Sequence, residues 1–156
     1  MKKIDIVKAE SEHDYEICDS MLKSLIKYES KLDSSIDENS TVSGFHERFM
    51  KKHDAFLCYA KSDKPIGYIF GYLTNPKGEG VNTNRVIIKN LYIDEEYRNF
   101  GIGKKLVESF ANWAKEKYLD DYEIELNCIA NNDKALSFYE KLGFKTVRLT
   151  LRKTKN

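Results

Sequence analysis

Tyr97-Arg98-Asn99-Phe100-Gly101-Ile102-Gly103-Lys104 stands where the sequence changes period. Before it, Val86, Ile87, Ile88, Leu91, Tyr92 and Ile93 form a β-branched and aromatic run that predicts a strand. After it, Leu106, Val107, Phe110, Ala114 and Tyr118 recur at helical spacing, and Lys115 and Lys117 fall in the last turns, where cations suit the helix dipole. The octet is therefore a strand-to-helix turn. Two glycines let the backbone turn sharply and approach a ligand closely, and the first turn of a helix offers unpaired N–H groups at its positive end. Arg98, Lys104 and Lys105 add charge suited to a phosphate-bearing ligand. By itself a Gly-x-Gly after a strand reads equally well as a plain turn.

Downstream, Tyr122, Ile124, Leu126 and Cys128 alternate with Glu123, Glu125 and Asn127 and predict a further strand. Asn131, Asn132 and Asp133 are helix-starting residues, Ala135, Phe138, Tyr139 and Leu142 follow at helical spacing, and Gly143 is placed as a stop. Phe144 to about Leu151 reads as a closing strand. Upstream, Ile4 and Ile6 suggest a first strand, a helix is expected from about Asp14 to Lys31, and Phe45 and Phe49 suggest a short second one. Polar residues Leu32 to Thr41 between those helices read as a mobile loop. Ala55 to Ala60 and Ile66 to Leu73 read as a hairpin turning at Lys61 to Pro65. The order implies a mixed α/β sheet in a single domain over 1–156, a length that suits one core.

Composition narrows the function classes. Basic and acidic residues number 26 and 25, net +1, so no overall field draws the chain to nucleic acid or an anionic membrane. After Glu140 come Lys141, Lys145, Arg148, Arg152, Lys153 and Lys155 with no acid, a basic tail best read as a solvated face. No apolar run approaches the roughly 20 residues of a membrane span. Asp5, Lys8 and Glu10 interrupt any export signal that could follow Met1-Lys2-Lys3. Cys18, Cys58 and Cys128 are odd in number and unpaired in spacing, which fits free thiols in the cytoplasm better than disulfides or a thiolate metal site. His46-Glu47 would open a zinc-protease helix only with His at position 50, which is Met50, so no metal is expected. Serine-hydrolase elbows and Walker phosphate loops are lacking.

The block Leu91-Tyr92-Ile93, then Glu96 through Lys104, resembles the Arg/Gln-x-x-Gly-x-Gly/Ala signature of the GNAT superfamily of N-acetyltransferases. Asn132-x-x-Ala135-x-x-Phe138-Tyr139-Glu140-Lys141-x-Gly143-Phe144 resembles the end motif of the same family. The resemblance implies a mostly antiparallel sheet splayed between strands 86–93 and 122–128, flanked by about four helices, with acetyl-CoA as cosubstrate in the gap. It implies that backbone groups of Leu91, Tyr92 and Ile93 bind the pantetheine arm, that N–H groups of Arg98, Asn99, Phe100, Gly101, Ile102, Gly103 and Lys104 hold the pyrophosphate, and that Asn132 contacts or orients the arm. Helix capping is an equal reading of Asn132.

Tyr139 shares a face with Ala135 and Leu142 and on spacing alone is a core residue. The resemblance makes it the general acid that protonates the departing thiolate. The chemistry agrees, since a phenol of pKa near ~10 is protonated where a thiol near ~8.5 leaves. The reaction so implied is direct attack by a neutral primary amine, of a small molecule or a peptide, on the acetyl carbonyl. Many relatives carry Glu immediately before the Leu-Tyr-hydrophobic strand end. Asn90 stands here and cannot be a base, which leaves Glu125, a water, or no enzyme base, and keeps a CoA-binding sensor without turnover as the alternative. Tyr28, Glu29, Phe45 and Phe49 are placed to face the acceptor, although packing also explains the aromatics. Roughly a dozen residues follow Gly143, enough for one strand, so part of the acceptor wall would be missing or come from a second subunit in a homodimer.

Overall fold

The computed structural model describes residues 2–78 and 80–155. Strand β1 (Asp5–Lys8) leads to α1 (Glu12–Ser30), α2 (Phe45–Met50), β2 (Ala55–Lys61), β3 (Pro65–Asn75) and β4 (Asn84–Ile93). A 3-10 turn (Glu95–Tyr97) precedes α3 (Ile102–Tyr118), β5 (Tyr122–Leu126) and α4 (Asp133–Lys141). The sheet order is β1-β2-β3-β4-β5, antiparallel throughout except for the parallel pair β4–β5. A parallel pair needs a crossover, and α3 supplies it. This is the mixed, mostly antiparallel sheet with four helices that the family resemblance implies.

Helices cover both faces. Leu106, Val107, Phe110 and Ala114 of α3 bury against Phe56, Cys58, Ile69, Val86 and Ile88. Cys18, Met21 and Leu22 of α1 bury on the other face with Leu57, Tyr59, Tyr68 and Phe70. Alternation along the strands sends odd and even residues to opposite layers. Helix α1 starts earlier than its apolar period shows, because Ser11 and Asp14 form a capping box, each side chain taking the other's backbone N–H.

Loop 31–44 is built from turns started by aspartates: Asp33 accepts the Ser35 N–H at 3.0 Å and Asp37 the Asn39 N–H at 2.9 Å. It is also tied down at a distance, with Arg152 on Asp33 at 3.0 Å and Asn131 on the Leu32 carbonyl at 3.0 Å. Its far end is held by Asp19, 6% exposed, which accepts the N–H of Gly44 at 2.9 Å, the N–H of His46 at 3.1 Å and the His46 ring nitrogen at 2.6 Å.

The closing strand expected at Phe144–Leu151 does not form within the chain. Residues 144–155 contain no helix, turn, bend or ladder, so the segment is an open chain rather than a sixth strand. Strand propensity describes a backbone that fits a sheet and provides no partner by itself.

Candidate active site

The site begins where the sheet opens. Strand β5 follows β4 from Asn84↔Tyr122 to Ile88↔Leu126 and then leaves it. Against β3, Phe70 pairs with Asn90 but Gly71 pairs with Ile88, so Lys89 is an extra residue on β4. Such a bulge bends a strand and ends pairing. From Lys89 to Ile93 the β5-facing edge of β4 has no ladder partner, which leaves backbone donors and acceptors free for a ligand.

Beyond Ile93 the chain enters the octet. Asn99 and Gly101 have positive φ, 68° and 79°, and Gly101 is the N-cap of α3 with no side-chain cap. The first intrahelical bond is Lys105 N–H to Gly101 O, 3.2 Å. The N–H groups of Gly101, Ile102, Gly103 and Lys104 are thus uncapped at the positive end of a 17-residue helix. A Cβ placed on Gly101 would meet no protein atom within 4 Å, whereas one on Gly103 would lie 3.0 Å from the Phe138 ring. The two glycines therefore differ: Gly101 turns the chain beside open space, and Gly103 lets α4 pack on α3.

The side chains of the octet are mostly occupied elsewhere. Arg98 donates from Nε to the Ile93 carbonyl at 3.0 Å and lays its guanidinium over the Tyr28 ring at 5.1 Å, bracing the turn. That carbonyl of Ile93 is thereby taken. Ile102 is buried and anchors the helix start, while Asn99, Phe100, Lys104 and Lys105 are exposed around the uncapped end. Leu91 and Ile93 pack toward α3, and Tyr92 faces the α1 layer and donates to Asp94 at 2.9 Å. Asn132 is the N-cap of α4 and accepts the Ala135 N–H at 3.3 Å, the capping role.

A cleft of about 500 Å³ lies on the α1 side of the opening. Leu22, Ile26, Val42 and Phe45 form its apolar wall, and Glu29, Lys89, Asn90 and Cys128 bring the chemistry. Burial pushes the Glu29 carboxyl up from its ordinary range, with Lys89 opposing. The Asn90 amide oxygen is buried without a hydrogen-bond partner, an open acceptor. Burial and the charge of Glu29 raise the Cys128 thiol, so it stays protonated. Tyr139 on α4 is half-buried between the rings of Phe138 and Phe144, at 5.2 and 5.6 Å. Burial first, then Cys128 and Glu29, push its phenol well above the ordinary value. Of the residues expected to face the acceptor, Glu29 and Phe45 line the cleft. Tyr28 instead supports Arg98, and Phe49 stacks on His53 at 4.1 Å.

Glu125, one base candidate from sequence, is not a free or solvated acid. It sits between Arg148, which donates to it, and Arg85 at 3.4 Å. Glu29, expected from the sequence to face the acceptor but not weighed there as a base, is the half-buried carboxylate that lines the cleft. Among the described residues no group of His, Cys, Asp and Glu could hold a metal ion, and no helix is long and apolar enough to cross a membrane.

Residues 18–144 match the acetyltransferase (GNAT) family, and the chain belongs to it. It is similar to an N-alpha-acetyltransferase of Sulfurisphaera tokodaii, 27% identical over 119 residues, 74% of this chain and 71% of that protein. It also resembles N-alpha-acetyltransferase 20 of Dictyostelium discoideum, 26% identical over 109 residues, covering 69% of this chain and only 60% of that protein. A tetramutant of a Bacillus halodurans protein superposes with a TM-score of 0.82 at 21% identity over 96% of this chain and 99% of the other, a likeness of fold.

Proposed function

We propose that this chain is an acetyl-CoA-dependent N-acetyltransferase, working as one domain in the cytoplasm, that acetylates a primary amine of a small molecule or peptide by direct attack. The observation that carries the reading is the gap where β5 leaves β4. Its β4 edge is unladdered, it lies between the uncapped N-terminus of α3 and the cleft holding Glu29 and Asn90, and Tyr139 stands nearby on α4. Uncapped N–H groups and the open space over Gly101 suit a pyrophosphate, and free backbone groups of Leu91 and Tyr92 suit an amide-bearing arm. Three cysteines without disulfides fit a reducing compartment.

Acetyl-CoA supplies the activated acetyl group, and the protein positions and moves protons. An amine enters along the apolar wall and donates one N–H to the open Asn90 oxygen. Amines of pKa ~8 to ~10.4 arrive largely protonated at neutral pH, and Glu29, as a carboxylate, takes the proton directly or through water. The amine nitrogen then bonds the carbonyl carbon, a backbone N–H of the β4 edge holds the oxyanion, and as the nitrogen gives up its second proton to water the C–S bond breaks and Tyr139 gives its proton to sulfur. Solvent later returns the proton from Glu29 to bulk and reprotonates Tyr139. A protonated Cys128 is a poor nucleophile, which favours direct transfer over an acetyl-cysteine intermediate.

A thermal-shift panel tests the reading. Acetyl-CoA and CoA should raise the melting temperature, NAD and ATP far less, and an amine panel with acetyl-CoA should release free thiol. Equal shifts from all four ligands would sink the cradle, and a CoA shift with no thiol release from any amine would favour the sensor reading.

A further inference from the structure

Alternation along β4 breaks at the bulge, and the break sets a charge in the cleft. Val86 and Ile88 bury on the α3 face, and Leu91 and Ile93 pack there too. The two residues between them, Lys89 and Asn90, both line the cleft on the α1 side. A regular strand would send consecutive side chains to opposite faces, and the extra residue at Lys89 cancels that. An ammonium is thereby placed in the same cleft as the open amide oxygen of Asn90.

Lys89 differs from the arginines nearby. Arg85 and Arg148 pair with Glu125, and Arg152 pairs with Asp33. Lys89 is exposed, and its ammonium makes no ion pair or side-chain hydrogen bond among the described residues. It and Glu29 are the two charged side chains of the cleft lining, and Lys89 opposes the rise in the Glu29 pKa. Their charges offset one another until Glu29 takes the proton of an arriving amine. Lys89 is then left as a lone cation beside the apolar wall of Leu22, Ile26, Val42 and Phe45. An anion carried by the acceptor restores the balance, and a second cation worsens it.

Resting on the acetyltransferase reading above, we propose that Lys89 is a specificity-determining residue that selects acceptors carrying a carboxylate a few bonds from the reacting amine. The amine is held at Asn90 and Glu29, and the carboxylate meets the Lys89 ammonium. Two kinds of acceptor share this chemistry. A free amino acid carries its carboxylate on the amine-bearing carbon, and a peptide with an acidic second residue carries it one residue along.

Titration calorimetry on the CoA-saturated protein, run beside thiol release with acetyl-CoA, compares acids with their isosteric amides. The pairs are glycine with glycinamide, and the C-terminally amidated peptide Ala-Asp-Gly-Gly with Ala-Asn-Gly-Gly, with Ala-Lys-Gly-Gly as the cationic control. In one pair or both the acid should bind about 10-fold more tightly than the amide, the worth of a charge-assisted hydrogen bond. Which pair discriminates tells the amino acid from the peptide. The lysine peptide should bind weakest, and the discrimination should lie in KM rather than kcat. Lys89→Arg should keep the preference and Lys89→Glu should invert it toward the lysine peptide. Both substitutions fall on an exposed side chain, so the acetyl-CoA thermal shift should remain as the check on folding. Acids that bind no more tightly than their amides in the wild type overturn the proposal. An equal loss for acid, amide and lysine acceptors in Lys89→Glu overturns it too, since Lys89 would then act only through Glu29. Acid-selective binding without thiol release from any acceptor would count against the activity and leave the recognition by Lys89 standing.

Discussion

The two ends of the gap between β4 and β5 are built by different means. At the α3 end the groups offered to a ligand are backbone N–H groups, gathered in one octet by a positive-φ glycine and a helix start. At the α1 end they are side chains, Glu29, Phe45, Asn90 and Cys128, brought together from α1, α2, β4 and the chain after β5. A backbone site depends on local conformation and tolerates many side chains. A side-chain cleft depends on how distant elements pack, and single atoms decide its chemistry. The first should therefore govern binding and the second turnover.

The largest effect expected is at the cleft. Glu29→Gln keeps shape and removes the base, so kcat/KM at pH 7 should fall about 10³-fold, within the 10²–10⁴ range of general acid–base catalysis. The loss should shrink as pH rises toward the amine's own pKa, where no base is needed, while the acetyl-CoA thermal shift stays. A loss of equal size at every pH would remove Glu29 as base.

Tyr139→Phe comes next. Turnover should fall about 10²-fold with stability and acetyl-CoA binding nearly unchanged, because the ring between Phe138 and Phe144 remains. A raised phenol pKa keeps the proton on Tyr139 throughout the neutral range, so the loss should not depend on pH there. A Phe variant with the wild-type rate, measured where chemistry limits turnover, would leave solvent as the proton source.

The contrast also explains what could be read from the sequence. The turn at Gly101, the strand and helix around it, and the alternation of β5 are local patterns, and the structure has those elements. The bulge at Lys89 and the open oxygen of Asn90 follow from pairing with β3 and β5, which no local spacing announces. Glu125 stood among the candidate bases because nothing in the sequence ties Arg85 and Arg148 to it. The tail read as a strand for the right local reason, and its lack of a partner is a property of the whole sheet.

A smaller effect concerns how the cleft wall is held. His46 is fully buried, its ring nitrogen 2.6 Å from Asp19, and burial lowers its pKa below the ordinary 6.5. A depressed histidine binds its proton more readily unfolded. Its contribution to stability is complete above 6.5 and is lost as pH falls from there toward the folded value. Urea denaturation should show stability dropping below pH 6.5 by at most about 1.4 kcal/mol per pH unit. His46→Gln should flatten that slope while leaving the carboxylate losses of Asp14 and Asp33, which belong near and below 3.8. A slope unchanged in His46→Gln would assign the acid sensitivity elsewhere.

The smallest effect separates the two glycines of the cradle. At Gly101 an alanine would carry a φ of 79°, at a cost of about 1–2 kcal/mol for a left-handed L-residue. Its methyl would meet no protein atom and would stand in the space where a ligand approaches. At Gly103, inside α3, alanine gains up to about 1 kcal/mol of helix propensity. Against this stands a Cβ 3.0 Å from the Phe138 ring, and overpacking costs about 1–3 kcal/mol where nothing can move. Phe138 is half-buried on a nine-residue helix, so the ring can yield by a few tenths of an ångström. Gly103→Ala should therefore change stability by less than about 1 kcal/mol and retain the acetyl-CoA shift. Gly101→Ala should lose more stability and most of the shift. Denaturation and thermal-shift measurements on the pair decide it. If Gly103→Ala proves the more damaging to ligand binding, the cradle lies at the α3–α4 contact and not over Gly101.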